Sequence, residues 1–166
     1  MPMPSVYIET TIPSYLTAAP SRDLVVAGHQ QVTHTWWQTA KDRFDLFISE
    51  AVLREVRAGD PEYAARRLEV LAAIPILPLN QEIRSLADRY QAELRLPKKA
   101  ATDALHIALA VFYEMDYLVT WNCAHIANGY VLRALMNLNH GLGRYTPLLL
   151  TPDELLSEED AIGDIE

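Results

Sequence analysis

The chain has 166 residues, 50% of them apolar, and a formal charge of −8, a length that suits one compact domain and is too short for two ordinary ones. No apolar run reaches the roughly 18 residues that a membrane span requires, and Met1 to Ser5 lacks both the basic and the apolar region of a signal peptide. The single cysteine, Cys123, excludes an internal disulfide, so the expected address is a reducing cytoplasm, with no membrane contact.

Short apolar runs alternate with longer stretches of helical period, the pattern of a mainly parallel sheet covered by helices. The first strand is Val6 to Glu9, and Thr10 and Thr11 follow as hydroxyls able to cap a helix entered at Pro13. Leu24 to Lys41 reads as a helix containing Trp36 and Trp37, whose large side chains belong in the core; a dimer surface or a partner groove are the other readings of that stretch. Phe44 to Ser49 is the second strand, leading into a helix over Glu50 to Arg57 and another over Pro61 to Ala72. A third strand at Ile74 to Leu79 precedes a helix in which Ile83, Leu86, Ala87, Tyr90 and Leu94 recur at three- and four-residue steps, and Leu96-Pro97 ends it.

The segment Ala101 to Glu114, "ATDALHIALAVFYE", is apolar on nearly every side, as befits a central helix; only Asp103 and His106 interrupt its first two turns. A fourth strand, Tyr117 to Trp121, runs into a polar turn at Asn122 and a further helix. Asn137 to Gly143, "NLNHGLG", reads as a loop before a last strand at Pro147 to Thr151. Residues 1–152 form the expected domain, and 153–166 an acidic tail at the surface or frayed. That end of the chain carries much of the charge: from Thr151 onward there are seven acids and no Lys or Arg, which leaves 15 acids against 14 bases in the body. Nine of those bases lie between Arg54 and Lys99, forming either a phosphate track or an ordinary solvated surface.

In an open parallel sheet, ligands gather outside the carboxyl ends of the strands. Glu9 and Asn122 each end a strand there, Glu55 lies on the second turn of the helix that Ser49 begins, and Asp103 opens the central helix. If both helices pack beside the first strand, these four oxygen donors converge. Adjacent carboxylates repel, and a hard cation such as Mg2+ or Mn2+ neutralises them. Each residue also has a plainer role: a solvated strand end for Glu9, an exposed helix acid for Glu55, an N-terminal helix residue for Asp103, a turn or cap for Asn122. His106 is either a satisfied core histidine or the group that orients Asp103, and His125 stands three residues beyond Asn122. No four-ligand zinc pattern is present, and Cys123, without a basic partner, reads as a packed small residue.

"VYIETTIPSYL", "FISEAVLREV", "ATDALHIALA" and "YLVTWNCAHIAN", in this order, resemble the PIN-domain proteins, of the kind found as the toxin of bacterial VapBC toxin-antitoxin pairs. The resemblance implies a three-layer α/β/α sandwich with a central, mainly parallel five-stranded sheet. It also implies RNA cleavage supported by Mg2+ or Mn2+, a cognate antitoxin and a homodimer. The family's first acid falls on Glu9, with Thr10 and Thr11 in the hydroxyl positions after it; its helical glutamate falls on Glu55, its central aspartate on Asp103, and its fourth acid on Asn122. Thr10, Thr11, His106 and His125 are expected around these four, in reach of substrate or ligands. Two departures stand out: Glu replaces the usual Asp at position 9, and Asn122 removes one negative charge while keeping a carbonyl oxygen.

The leading expectation is thus a metal-dependent ribonuclease held by an antitoxin, and the competing one a PIN-fold RNA- or protein-binding module without turnover. A third reading, a dinucleotide-binding enzyme on a similar sheet, fits poorly, because the only G-x-G, Gly141-Leu142-Gly143, precedes the last strand instead of following the first, and no P-loop is present.

Overall fold

The computed structural model describes residues 2–157, and among them the chain forms five strands and seven α-helices. They run β1 (Ser5–Ile8), α1 (Thr11–Thr17), α2 (Leu24–Arg43), β2 (Asp45–Ser49), α3 (Glu50–Val56), α4 (Pro61–Leu71), β3 (Ile76–Leu77), α5 (Gln81–Glu93), α6 (Ala101–Phe112), β4 (Tyr117–Val119), α7 (Gly129–Leu142) and β5 (Leu148–Leu150). Two 3-10 turns, Lys98–Ala100 and Pro152–Leu155, complete the order.

All strand pairs are parallel and the sheet order is β3-β2-β1-β4-β5. The chain therefore steps from β1 toward one edge through β2 and β3, then crosses back to β4 and on to β5. Right-handed crossovers place helices that connect opposite steps on opposite faces. The packing agrees: α1 lies against α2 and α4 on one side, and α5 against α6 on the other. Every expected strand exists; β1 keeps its expected length one residue earlier, and the other four are shorter than expected.

Side-chain caps set the helix starts. Asp23, Ser49, Asp60, Asn80 and Asn128 each accept backbone N–H groups of the first turn of α2, α3, α4, α5 and α7, satisfying donors that have no partner within the helix. Two helices lack such a cap: α6, which follows Ala100, and α1, which follows Thr10. Thr10 sits at the N-cap of α1 with helical backbone angles and makes no side-chain cap, because both threonine hydroxyls of that turn are directed elsewhere. Helix α6 buries Ala104, His106, Ile107, Ala108, Leu109, Ala110 and Val111, the central position its composition requires. Trp36 is fully buried in the core, with Trp37 partly buried against it.

Two expectations are corrected. Asn137 to Gly143 is no loop: α7 continues through it to Leu142, and Gly143 closes the helix with φ 68°, a left-handed residue that glycine adopts without strain. Asn139, polar in sequence, is fully buried and accepts from the Tyr90 hydroxyl at 2.5 Å while donating to Thr146, so its polarity marks an internal partner and not a surface loop. The segment from 153, expected at the surface or frayed, begins in an ordered turn in which Asp153 and Glu154 are exposed but Leu155 is buried, and that turn packs on α2; residues 158–166 lie outside the described residues.

Candidate metal centre

Strand order reverses between β1 and β4, and the crevice outside the carboxyl ends of such a pair is where open α/β sheets hold ligands. Glu9 follows β1 directly and Thr120 follows β4, so both occupy that crevice. Glu9 is 4% exposed. Its Oε1 accepts three hydrogen bonds, from Thr11 N–H at 3.0 Å, Thr11 Oγ1 at 2.6 Å and Thr120 Oγ1 at 2.6 Å. No donor among the described residues reaches its Oε2.

Glu55 arrives on α3, whose start is fixed by the Ser49 cap. Its Oε1 accepts from Thr10 Oγ1 at 2.7 Å and lies 2.5 Å from His106 Nε2. The imidazole is fully buried and held from its other side: Tyr7 OH is 2.6 Å from His106 Nδ1 and 2.7 Å from Ser49 Oγ, which accepts Val52 N–H at 3.2 Å. One continuous set of hydrogen bonds thus runs from the α3 cap through a β1 tyrosine and an α6 histidine to the α3 carboxylate.

Burial alone would push His106 toward neutrality; the Glu55 hydrogen bond and the Glu9, Glu55 and Asp103 carboxylates outweigh it, and the imidazole pKa is raised. Burial would raise Glu55, but the hydrogen bond and charge of His106, together with Thr10, hold the carboxyl below its usual range. The two favour an imidazolium–carboxylate pair. Ligand atoms of Glu9, Glu55 and His106 all lie within 4.8 Å of one another, a set of two carboxylates and one imidazole. The carboxylates suit Mg2+ and Mn2+, and His106 adds a softer nitrogen donor, which favours the transition metal, only once it has lost its proton and turned from Glu55.

Asp103 lies outside this group, and Asn122 adjoins it through Thr120. Asp103 Oδ2 lies 3.0 Å from His125 Nδ1, with side chains 19% and 24% exposed respectively. Asn122 Oδ1 accepts His125 N–H at 3.0 Å, and its own N–H donates to Thr120 Oγ1 at 2.9 Å. Asn122 therefore shapes the turn that carries His125 to Asp103. His106 does not orient Asp103, its sequence neighbour; it reaches across to Glu55. Asn128 caps α7. Cys123 is exposed, not packed, and partial burial of its sulfur with the Asp153 and Glu154 carboxylates pushes the thiol up, which keeps it protonated.

Thr120 and Tyr7 escaped the sequence reading. Each is a polar atom inside an apolar strand run, "YLVTW" and "SVYIE", and that placement was the available signal, since a buried hydroxyl requires a partner.

No family model matches the chain, and no curated protein matches it in sequence. Among solved structures, it is similar to a chain in the crystal structure of VapBC2 from Rickettsia felis bound to a DNA fragment from their promoter. The two share 15% identity over 88% of this chain and 97% of that one, with a TM-score of 0.56. Likeness at that identity speaks for architecture: this chain has a PIN-like α/β fold built on an all-parallel five-stranded sheet.

Proposed function

We propose that the protein is a divalent-metal-dependent endoribonuclease that hydrolyses RNA phosphodiester bonds, and that it is the toxin of a toxin-antitoxin pair, restrained by a cognate antitoxin. The observation that carries this reading is the meeting of Glu9, Glu55 and His106 at the point where the strand order of a PIN-like sheet reverses. Glu9, Glu55 and Asp103 are the proposed metal and catalytic residues, with Asn122 the weakest member because its oxygen already serves His125. Mg2+ or Mn2+, when bound, lowers the pKa of an attacking water and offsets charge developing on the phosphate oxygens.

The chain's own residues prepare that chemistry. Thr11 and Thr120 fix Glu9 through one oxygen and leave the other for a ligand. Thr10 and His106 do the same for Glu55, and His106 keeps its carboxylate ionised. His125, hydrogen-bonded at Asp103 and partly exposed, is the proposed proton donor to the leaving oxygen. No side-chain nucleophile is needed. Incubation of the purified chain with a mixed-sequence RNA, with Mn2+, with Mg2+ and with EDTA, tests the reading. Cleavage in the metal reactions and none in EDTA, lost in Asp103→Asn, is expected; metal-independent cleavage, or none in any reaction, overturns it.

A second reading has one observation in its favour. Glu55 is already neutralised by His106, so the carboxylates are not left uncompensated, as they would be if only a cation could balance them. A non-catalytic PIN-fold binding module is consistent with that balance. It predicts no uptake of Mn2+ by isothermal titration.

A further inference from the structure

Most aromatic pairs among the described residues meet tilted or edge-on, with interplanar angles from 38° to 83°, one of the arrangements, beside offset stacking, that ring quadrupoles favour. Two pairs among the described residues are nearly parallel, and both involve Trp121. Tyr15 lies at 15° with ring centroids 6.0 Å apart, and His29 at 11° and 4.1 Å. All three rings are partly exposed. They come from three separate elements, α1, the turn after β4, and α2.

Trp121 cannot swing away from this stack. Its backbone N–H donates to Thr11 Oγ1 at 2.8 Å and its indole N–H donates to Thr33 Oγ1 at 2.8 Å. Thr33 in turn donates to the carbonyl of His29 at 2.6 Å, tying both ends of the indole to the helices that carry its stacking partners. The hydroxyl that receives the Trp121 backbone is the one that donates to Glu9 Oε1 at 2.6 Å. Tyr15 stands four residues beyond Thr11, one helical turn along α1. The stack therefore adjoins the carboxylate cluster through a single threonine, and its central indole is held before any ligand arrives, which lowers the ordering cost of binding.

We infer that Tyr15, Trp121 and His29 form a stacking platform for an unpaired base of single-stranded RNA, seating that nucleotide beside the phosphate presented to Glu9 and Glu55. The inference rests on the nuclease reading and deepens it, naming the substrate as RNA with exposed bases. Flat rings in parallel array offer a base a π-face without reading its edges, so the platform confers preference for unpaired over paired RNA and little sequence preference. A duplex, whose bases already stack on one another, gains nothing from it.

The test is a fluorescence-anisotropy titration of the full chain with a short labelled single-stranded RNA and with a duplex of the same length, in EDTA so that nothing is cleaved. Tyr15→Leu and His29→Leu keep apolar bulk but remove the ring, whereas Tyr15→Phe keeps it; circular dichroism of each variant verifies the fold. The expected result is a loss of about tenfold in single-strand affinity in at least one of the two Leu variants, wild-type affinity in Tyr15→Phe, and unchanged duplex affinity throughout. Equal losses on single strand and duplex, or no loss in either Leu variant, overturn the platform. So does a wild-type chain that binds no single strand, including one that instead uses these rings to hold an antitoxin peptide. Cleavage assayed separately with Mn2+ distinguishes the cases: turnover by wild type alongside insensitive Leu variants removes the platform and leaves the nuclease, whereas no turnover removes both.

Discussion

Glu55 and His106, 51 positions apart in the chain, meet at 2.5 Å with the imidazole fully buried. Their mutual stabilisation has a defined pH window. His106 is raised in the fold from its ordinary 6.5, so its contribution is complete below that value and is lost as pH rises through the higher folded value. Glu55 is lowered from its ordinary 4.5, so its contribution is complete above that value and is lost as pH falls through the lower folded value. The pair is thus fully expressed from 4.5 to 6.5. Thermal melts across pH are expected to fall off on both sides of that window in wild type, and the alkaline fall is expected to flatten in His106→Gln. Identical alkaline slopes in the two proteins would show that His106 does not carry the dependence.

A second consequence concerns Glu55→Gln. Repulsion among carboxylates would make neutralisation stabilising, but Glu55 faces an imidazolium, and removing its charge leaves a buried cation without its partner. Glu55→Gln is therefore expected to lower Tm as well as cleavage, the latter by at least about a hundredfold. Asp103→Asn is expected to lose activity to a similar degree with Tm nearly unchanged, since Asp103 and His125 are both partly exposed and such pairs contribute little. A Glu55→Gln protein that melts above wild type would contradict the ion pair.

Cation binding at Glu9 and Glu55 must compete with the proton on His106, because both neutralise the same carboxylates. Mn2+ affinity measured by isothermal titration is expected to rise as pH increases above 6.5, with proton release visible as a dependence of the heat on buffer ionisation. In His106→Gln the competing charge is gone, and the pH dependence is expected to shrink. A pH-independent affinity in wild type would mean that the cation binds elsewhere.

The acids were legible in the sequence because strand and helix periods place them: Glu9 ends an apolar run, and Glu55 falls on the second turn from Ser49. What those acids touch was not legible. Asp103 and His106 are three residues apart, and neighbours at that spacing share a helix face, so mutual contact was the natural expectation. Three residues nonetheless turn a helix by about 300°, leaving roughly 60° between the two side chains. In a helix buried nearly all round, that angle sends His106 inward to Tyr7 and Glu55 and leaves Asp103 at the rim with His125. The loop expectation at Asn137 failed similarly, because polar residue types say nothing about a partner such as Tyr90 supplied from a distant helix.

Asn122 separates geometry from charge. Its side chain accepts the His125 N–H, a role that aspartate fills as well, so Asn122→Asp keeps the turn and adds a carboxylate oxygen near the cluster. Tighter Mn2+ binding with Tm close to wild type is the expected outcome. Asn122→Ala loses the acceptor and is expected to cost about 1 kcal/mol, close to 3 °C in Tm for a domain of this size. Weaker Mn2+ binding in the Asp variant would show that position 122 does not face the metal.

Thr120 gives the sharpest test of how the cluster is held. It is fully buried, donates to Glu9 Oε1 and accepts the Asn122 N–H, so one hydroxyl ties the carboxylate that ends β1 to the turn that ends β4. Valine matches its shape without the oxygen. Thr120→Val leaves the part-buried Asn122 N–H without its partner and removes one of three donors from the buried Glu9, at an expected cost of about 1–3 kcal/mol. Thr120→Ser restores both bonds at the price of one methyl and is expected to recover most of the cleavage that Thr120→Val loses. That rescue distinguishes positioning of Glu9 from general packing: if Val and Ser variants lose activity equally, the methyl matters and the hydroxyl does not.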